Sequence, residues 1–327
     1  MRMRRYFFLL MMLGTMVLCT IAVGNVTPAA TQATDTLAAI RARGCLIIGT
    51  DPTYPPFEEK NAATGEYEGF DIDLANQIAL SLGVGLQVEE SEWDPIIPNL
   101  KQSKFDVILS AMTITEAREV EVDFTRWYYK SAQAILVMNA NPKNIVTEAD
   151  LNQTLTIGVQ AGTTSDLWVQ DHLNASLVTL NTYDTILLAI QALKNGQVDV
   201  VLGDHAVLAQ EQLESGLTKV VDTYSPEDFG IACRDGDDNL RNAINDALDA
   251  LLGSDESHPA PTDLYNIMYY KWFDSNAADI GYTGTATTGT IPSAAQGCTP
   301  APGFEVFVAM LVIMVLPVVK RFKKDRK

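Results

Sequence analysis

The run from Phe105 to Arg118 gathers residue types that can hold a carboxylate. It opens with Val107, Ile108 and Leu109, which have the length and β-branched content of a buried strand. It then passes into small and hydroxylated residues, Ser110, Ala111, Thr113 and Thr115, and ends on Arg118. Thr115-Glu-Ala-Arg118 reads as an N-cap followed by a turn or two of helix. Hydroxyls and backbone amides at such a strand end donate hydrogen bonds, and a guanidinium fork pairs both oxygens of one carboxylate. In open α/β sheets small ligands bind at the carboxyl ends of strands. The same residues also fit an ordinary strand-to-helix turn, with Arg118 in a surface ion pair with Glu121 or Asp123.

Elements of matching period surround this run. Cys45 to Thr50 reads as a buried strand leading into Asp51-Pro-Thr-Tyr-Pro-Pro-Phe57, where the prolines impose an extended loop. Asp71 to Leu82 has helical spacing, ended by Gly83-Val-Gly85. Leu86 to Val88 is a strand, and Trp93 to Leu100 a short helix behind a tryptophan. This order predicts a parallel sheet with right-handed crossovers.

The pattern then restarts. Asp123 to Lys130 is aromatic and irregular, and Ala134 to Met138 is a strand. The strand Leu155 to Val159 ends in Gln160-Ala-Gly-Thr-Thr-Ser165, and a helix covers Asp166 to His172. After a short strand at Leu177 to Leu180, Tyr183 to Lys194 is strongly periodic. The strand Val198 to Leu202 meets Gly203-Asp204, and a helix spans Ala206 to Glu214. Past Tyr224 to Phe229 come a strand, Gly230 to Cys233, and helices Asp238 to Leu252 and Thr262 to Phe273. Two similar α/β units, with chain left over for one of them, imply two lobes facing across a cleft.

The formal net charge is −18 over 327 residues, although both ends carry clusters of basic residues. So acidic a body is repelled by phosphate backbones, which argues against a nucleic-acid partner. The four cysteines show no metal-ligand spacing. Cys19 lies in an apolar leader and Cys298 in a low-complexity tail, and Cys45 and Cys233 read as buried free thiols, with a disulfide open in an oxidising compartment. There is no nucleotide-binding loop and no nucleophile triad, and no cofactor is expected.

Both ends read as membrane signals. A basic start, an apolar run from Tyr6 to Val23 and a small-residue stretch make 1–33 a secretory signal peptide. Residues 275–301, rich in Thr, Ala, Gly, Ser and Pro, read as a flexible stalk. Pro302-Gly-Phe304 then opens an apolar run to Val319, closed by the basic Lys320 to Lys327. The positive end stays cytoplasmic, which places the body outside the cell. This layout resembles the PGF-CTERM sorting signal of archaeal surface proteins, which implies removal of the tail by an archaeosortase and a lipid anchor. A plain membrane helix gives the same topology. Asn25, Asn152 and Asn174 start glycosylation sequons.

Taken together, the ordered runs resemble the type II periplasmic amino-acid-binding proteins of ABC transporters, solute-binding protein family 3. The runs are Ile48 to Phe57, Gly69 to Ala75, Trp93 to Pro98, Phe105 to Arg118, Gly158 to Thr164, Val198 to Asp204 and Tyr269 to Phe273. The resemblance covers about residues 38–274. It implies an α/β, two-lobed fold, each lobe a mostly parallel sheet flanked by helices. Lobe 1 would take 38–128, lobe 2 129–225, and a return segment of lobe 1 226–274, with hinges near Trp127–Lys130 and Ser225–Phe229. It also implies a monomer that captures a free amino acid and delivers it to an ABC permease.

Carried over residue by residue, the resemblance puts Arg118 on the ligand α-carboxylate, helped by Thr113 and the Thr164 amide. Asp204 would take the α-ammonium, assisted by Ser110, and Tyr54 and Trp93 would sandwich the side chain. Asp51, Gln160 and Thr163 would meet the side-chain end, and Ala111 could contribute only a backbone donor. Read singly, Asp204 also fits a helix cap, Tyr54 and Trp93 lobe core, and Asp51 a turn. Gln160 and Gly203 offer no cationic side chain, which argues against a side-chain carboxylate, and Asp51 suits a cationic or amide-bearing group, so a glutamine-type or basic ligand is expected. Two other functions fit the same fold. One is an exported enzyme akin to cyclohexadienyl dehydratase, for which Asp51 or Glu58 could serve as acid or base. The other is a sensor module for a membrane receptor.

Overall fold

The computed structural model describes residues 35–255, 261–273 and 290–298. The leader, the PGF run with its basic tail, Cys19 and Asn25 lie outside them. Among the described residues no helix is long and apolar enough to cross a membrane.

Helix α1 (Thr36–Arg43) leads through Gly44 into β1 (Cys45–Thr50). A small antiparallel sheet follows, made of β2 (Thr53–Tyr54), β3 (Glu58–Lys60) and β4 (Tyr67–Glu68). Next come α2 (Phe70–Leu82), β5 (Gly85–Glu90), α3 (Ile96–Lys101), β6 (Val107–Ile108) and α4 (Glu116–Glu119). Gly83 ends α2 at a left-handed φ of 73°, a conformation that costs glycine little. Strands β5 and β6 both pair parallel with β1, as the strand–helix–strand order requires.

The chain then enters β7 (Val122–Met138), followed by β8 (Leu155–Gln160), α5 (Thr164–His172), β9 (Val178–Tyr183), α6 (Ile186–Lys194), β10 (Val200–Asp204) and α7 (His205–Ser215). Strand β11 (Thr218–Arg234) returns beside β7, and α8 (Asp238–Leu252) and α9 (Asp263–Trp272) pack onto the first lobe. The main sheet runs β5-β1-β6-β11-β7-β10-β8-β9.

Two 17-residue strands connect the lobes. At about 3.3 Å per residue each spans roughly 55 Å, longer than one lobe needs. On one side β11 pairs with β6 at Ala232 and Cys233; on the other β7 pairs with β10 at Gln133 to Leu136. Between these ends Lys130 faces Asp228 and Tyr129 faces Phe229, so the two segments expected as hinges are ladder neighbours. Register shifts at four points along β11 give the bulges that let so long a ribbon bend.

This corrects the irregular reading of Asp123 to Lys130. Most of β7 is buried on both faces, so its side chains need not alternate. Tyr129 packs at the crossing with ring centroids 4.9 Å from Phe57, 5.6 Å from Phe229 and 5.0 Å from Phe273.

The free-thiol reading of Cys45 is also corrected. Cys45 is disulfide-bonded to Cys298, whereas Cys233 is free and buried. Part of the stretch expected to be a flexible stalk is accordingly ordered: residues 290–298 lie along β5, and Ala294 is buried.

Candidate functional site

The strand ends converge. Asp51 follows β1, Ser110 to Thr113 follow β6, Gln160 ends β8, Thr163 and Thr164 open α5, and Asp204 ends β10. With Tyr54 on β2, Trp93 after β5 and Arg118 on α4, all eleven residues expected in the site line one cavity of about 330 Å³. A twelfth lining residue is Glu58.

Arg118 is placed by the helix start foreseen in its sequence: the Thr115 hydroxyl accepts from the Arg118 amide at 3.3 Å. Arg118 Nη1 donates to the Thr113 carbonyl at 2.8 Å, and the guanidinium lies 5.1 Å over the Trp93 ring. Among the described residues it forms no ion pair with Glu121 or Asp123, so the surface-pair alternative falls. Burial lowers its pKa, and the carboxylates of Glu227 and Asp204 oppose that shift.

Asp204 stands at the N-cap position of α7, yet its side chain makes no cap bond. It accepts instead from the Tyr54 hydroxyl and from Gln133 Nε2, the latter at 2.8 Å. Burial, reinforced by the charge of Glu227, raises its pKa well above the usual range. Tyr54 is thus a hydrogen-bond donor as well as an apolar wall. Trp93 likewise has its ring against Arg118, while its Nε1 donates to the Gly162 carbonyl at 3.1 Å. Both residues reach from lobe 1 to lobe 2.

Asp51 accepts from Thr53 Oγ1 at 2.8 Å and from Gln160 Nε2 at 3.2 Å, and burial raises its pKa. Thr163 caps α5: its hydroxyl donates to the Gln160 carbonyl at 2.8 Å and accepts from the Asp166 amide.

One expectation needs correction. The Ala111 amide, thought available as a backbone donor, donates to Asp71 Oδ2 at 2.8 Å. Ala111 takes a left-handed φ of 45° and still lines the cavity. The Ser110 hydroxyl donates to Glu58 Oε1 at 2.7 Å and accepts from the Asp51 amide at 3.0 Å. Its proton is committed to Glu58.

Gln133 and Glu227 escaped the sequence reading as site members, and Glu58 entered it only as an acid or base of the enzymatic alternative. Glu58 is fully buried and its Oε2 has no hydrogen-bond partner. Burial and the neighbouring charge of Asp71 raise its pKa well above the usual range. Asp71 is pushed up to about 7 by burial, tempered by donors from Ala111 and Tyr128. Gln133 joins Asp204 to the Thr164 hydroxyl, which it reaches at 3.2 Å, and accepts from Ser165. The one signal for it was a glutamine inside an otherwise apolar strand.

Glu227, on β11, accepts from Thr113 Oγ1 at 2.7 Å and from Thr164 Oγ1 at 3.2 Å. One of its oxygens therefore takes a hydroxyl from each lobe. Among the lining residues Arg118 is the only base, set against Asp51, Glu58 and Asp204, with Glu227 behind the two threonines. Such a cavity favours a ligand with one anionic group and more than one cationic or donor group.

Residues 46–274 match the family model of bacterial extracellular solute-binding proteins, family 3, and the chain belongs to that family. It is 31% identical over 214 residues to the L-cystine-binding protein TcyJ of Escherichia coli, covering 65% of this chain and 79% of that protein. It is 35% identical over 211 residues to ABC transporter arginine-binding protein 1 of the same species, covering 62% and 84%. Among solved structures, the ancestral amino acid-binding protein AncCDT-1, a precursor of cyclohexadienyl dehydratase, is similar at a TM-score of 0.65 and 36% identity. That match covers 73% of this chain and all of that one. The two-lobed type II binding-protein fold is thus shared with proteins of known structure.

Proposed function

We propose that the cleft captures one free amino acid with a cationic or amide-bearing side chain and presents it to an ABC permease. The carrying observation is the placement of Arg118 on lobe 1 and Asp204 on lobe 2, facing one cavity of about 330 Å³. Arg118 and the Thr164 amide take the α-carboxylate, joined by Thr113 as its hydroxyl turns from Glu227, and Asp204 takes the α-ammonium. Tyr54 and Trp93 flank the side chain, and Asp51, Gln160 and Thr163 meet its far end. A ligand that bridges the lobes favours the closed arrangement by differential affinity. A few charge-assisted bonds, each contributing on the order of 1.5–3 kcal/mol, suffice for micromolar binding, about −8 kcal/mol.

The acidic surplus supports a basic side chain, and the named relatives bind cystine and arginine. Calorimetry across the twenty amino acids tests this. Tightest binding is expected for arginine, lysine or glutamine, with Asp51→Asn weakening the cationic ligands most. Tightest binding of glutamate or a branched aliphatic residue overturns the assignment.

Residues 1–33 direct export, and 302–327 hold the protein at the outer face of the cytoplasmic membrane, either as a retained helix or through archaeosortase exchange for a lipid. The residue order of both ends supports this placement, and fractionation of cells tests it.

The enzymatic reading draws on one observation, the buried Glu58 carboxyl on the cavity wall, together with the likeness to a dehydratase precursor. Turnover of prephenate or arogenate by the purified protein, lost in Glu58→Gln, is its test.

A further inference from the structure

Lobe 1 carries a slot built for a piece of this chain's own tail. Strand β5 is the edge of the main sheet, and its outer side is covered by residues 290–298. The Leu86 amide donates to the Ala295 carbonyl at 2.8 Å, and the Gly297 amide donates to the Leu86 carbonyl at 2.8 Å. From α2, Gln77 Nε2 donates to the Pro292 carbonyl at 2.6 Å, and Asn76 Oδ1 accepts from the Ala294 amide at 3.0 Å. Both amide side chains are buried, and the tail backbone partners them. A Cβ on Gly85 would stand 2.5 Å from the Gly297 carbonyl and 2.7 Å from that of Ala295, so the bare backbone of Gly85 admits the tail. Cys298 then closes onto Cys45, 253 residues earlier, with the two Cα atoms 4.6 Å apart.

The position of this bond matters for function. Cys45 begins β1, whereas Thr50 ends it beside Asp51 at the cavity. Five residues of strand place the cross-link about 17 Å from the ligand end.

We infer that residues 290–298 form a clasp, closed by the Cys45–Cys298 disulfide, that fixes the C-terminal tail to lobe 1 on the side away from the cleft. A pull on the tail then loads lobe 1 alone and leaves lobe 2 free to close. The clasp also shields the β5 edge from pairing with another chain. To close it, each thiol loses one proton and one electron as the S–S bond forms. A protein disulfide of the exported environment accepts the pair and becomes a dithiol. The tethering consequence rests on the membrane anchoring proposed above; the clasp itself does not.

The test uses the full exported chain with a specific protease site inserted within residues 280–289. After cutting, the C-terminal fragment is expected to stay with the body on a non-reducing denaturing gel and to leave on addition of dithiothreitol. In Cys298→Ser it leaves without reductant. A wild-type fragment that separates without reductant overturns the clasp. Hydrogen exchange supplies a second readout, with the Leu86 and Gly297 amides losing at least tenfold in protection in Cys298→Ser while arginine affinity stays within twofold. Equal protection in the variant overturns the part given to the disulfide, and a tenfold loss of affinity overturns its separation from the cleft. On membranes, cutting should free the body only under reduction. A body already in the wash before cutting removes the tether, whereas the gel result on the clasp stands.

Discussion

The hydroxyl of Tyr54 donates to the carboxylate of Asp204, 150 residues away, so a side chain from each lobe meets inside the cavity. Asp204 is buried and already holds Gln133 at its other oxygen. Tyr54→Phe strips a donor from a buried carboxylate, a loss of about 1–3 kcal/mol. Amino-acid affinity is expected to fall roughly five- to hundredfold. Without that donor the Asp204 pKa rises further, so binding should also weaken more steeply as the pH drops. Titration calorimetry at two pH values reads both effects; unchanged affinity would remove the cross-cleft bond from the binding account.

Arg118 sits between the Thr113 carbonyl and the Trp93 ring, and among the described residues it is the only basic side chain lining the cavity. Arg118→Ala is expected to lower affinity at least a hundredfold, since two charge-assisted bonds disappear together. The thermal midpoint should fall by only a few degrees, because α4 is short and packs at the cavity rim. Arg118→Lys should recover little, as an ammonium cannot present the planar fork. A calorimetric trace for Arg118→Ala that matches wild type would refute the clamp.

Asp71 has a folded pKa of about 7 against 3.8 for the free side chain, because burial penalises its charge. Between these values the folded protein holds a proton that the unfolded chain has released. Stability from this group is therefore present at low pH and declines as the pH rises from about 4 to 7, by at most about 1.4 kcal/mol per pH unit. Asp71→Asn keeps an acceptor for the Ala111 amide and the Tyr128 hydroxyl but does not titrate. Its thermal midpoint should change less than that of wild type between pH 5 and pH 8. Parallel profiles for the two proteins would rule out Asp71 as the source.

Gly85→Ala forces a methyl against the carbonyls of Ala295 and Gly297. The backbone of the clasp must move, at a typical cost of about 1–3 kcal/mol. At roughly 2–4 °C per kcal/mol this predicts a melting point lower by several degrees. In Cys298→Ser, where the clasp is already loosened, the same substitution should cost less. A double-mutant cycle in thermal denaturation checks the coupling, and strict additivity would mean that Gly85 and the disulfide act separately.

Much of this protein is determined by its sequence alone. Hydroxyl-rich strand ends, glycine stops such as Gly83, and the β-branched runs of β1, β6, β8 and β10 impose the α/β order locally. That local chemistry marked Ser110, Ala111, Thr113 and Arg118, because a strand end and the helix start after it are neighbours in the chain; the other seven residues of the expected site came from the family resemblance.

Tertiary structure decided the rest, for reasons no local pattern carries. Strand β7 lies mostly buried in the middle of the sheet, so the alternation that betrays a strand is absent from Asp123 to Lys130. Glu58, Gln133 and Glu227 owe their roles to partners from other elements, Ser110, Asp204 and Thr113 among them. Whether Cys45 is a thiol or half of a disulfide depends on a cysteine 253 residues later. Only the packed β5 edge, which receives a tail of unremarkable composition, brings the two sulfurs together.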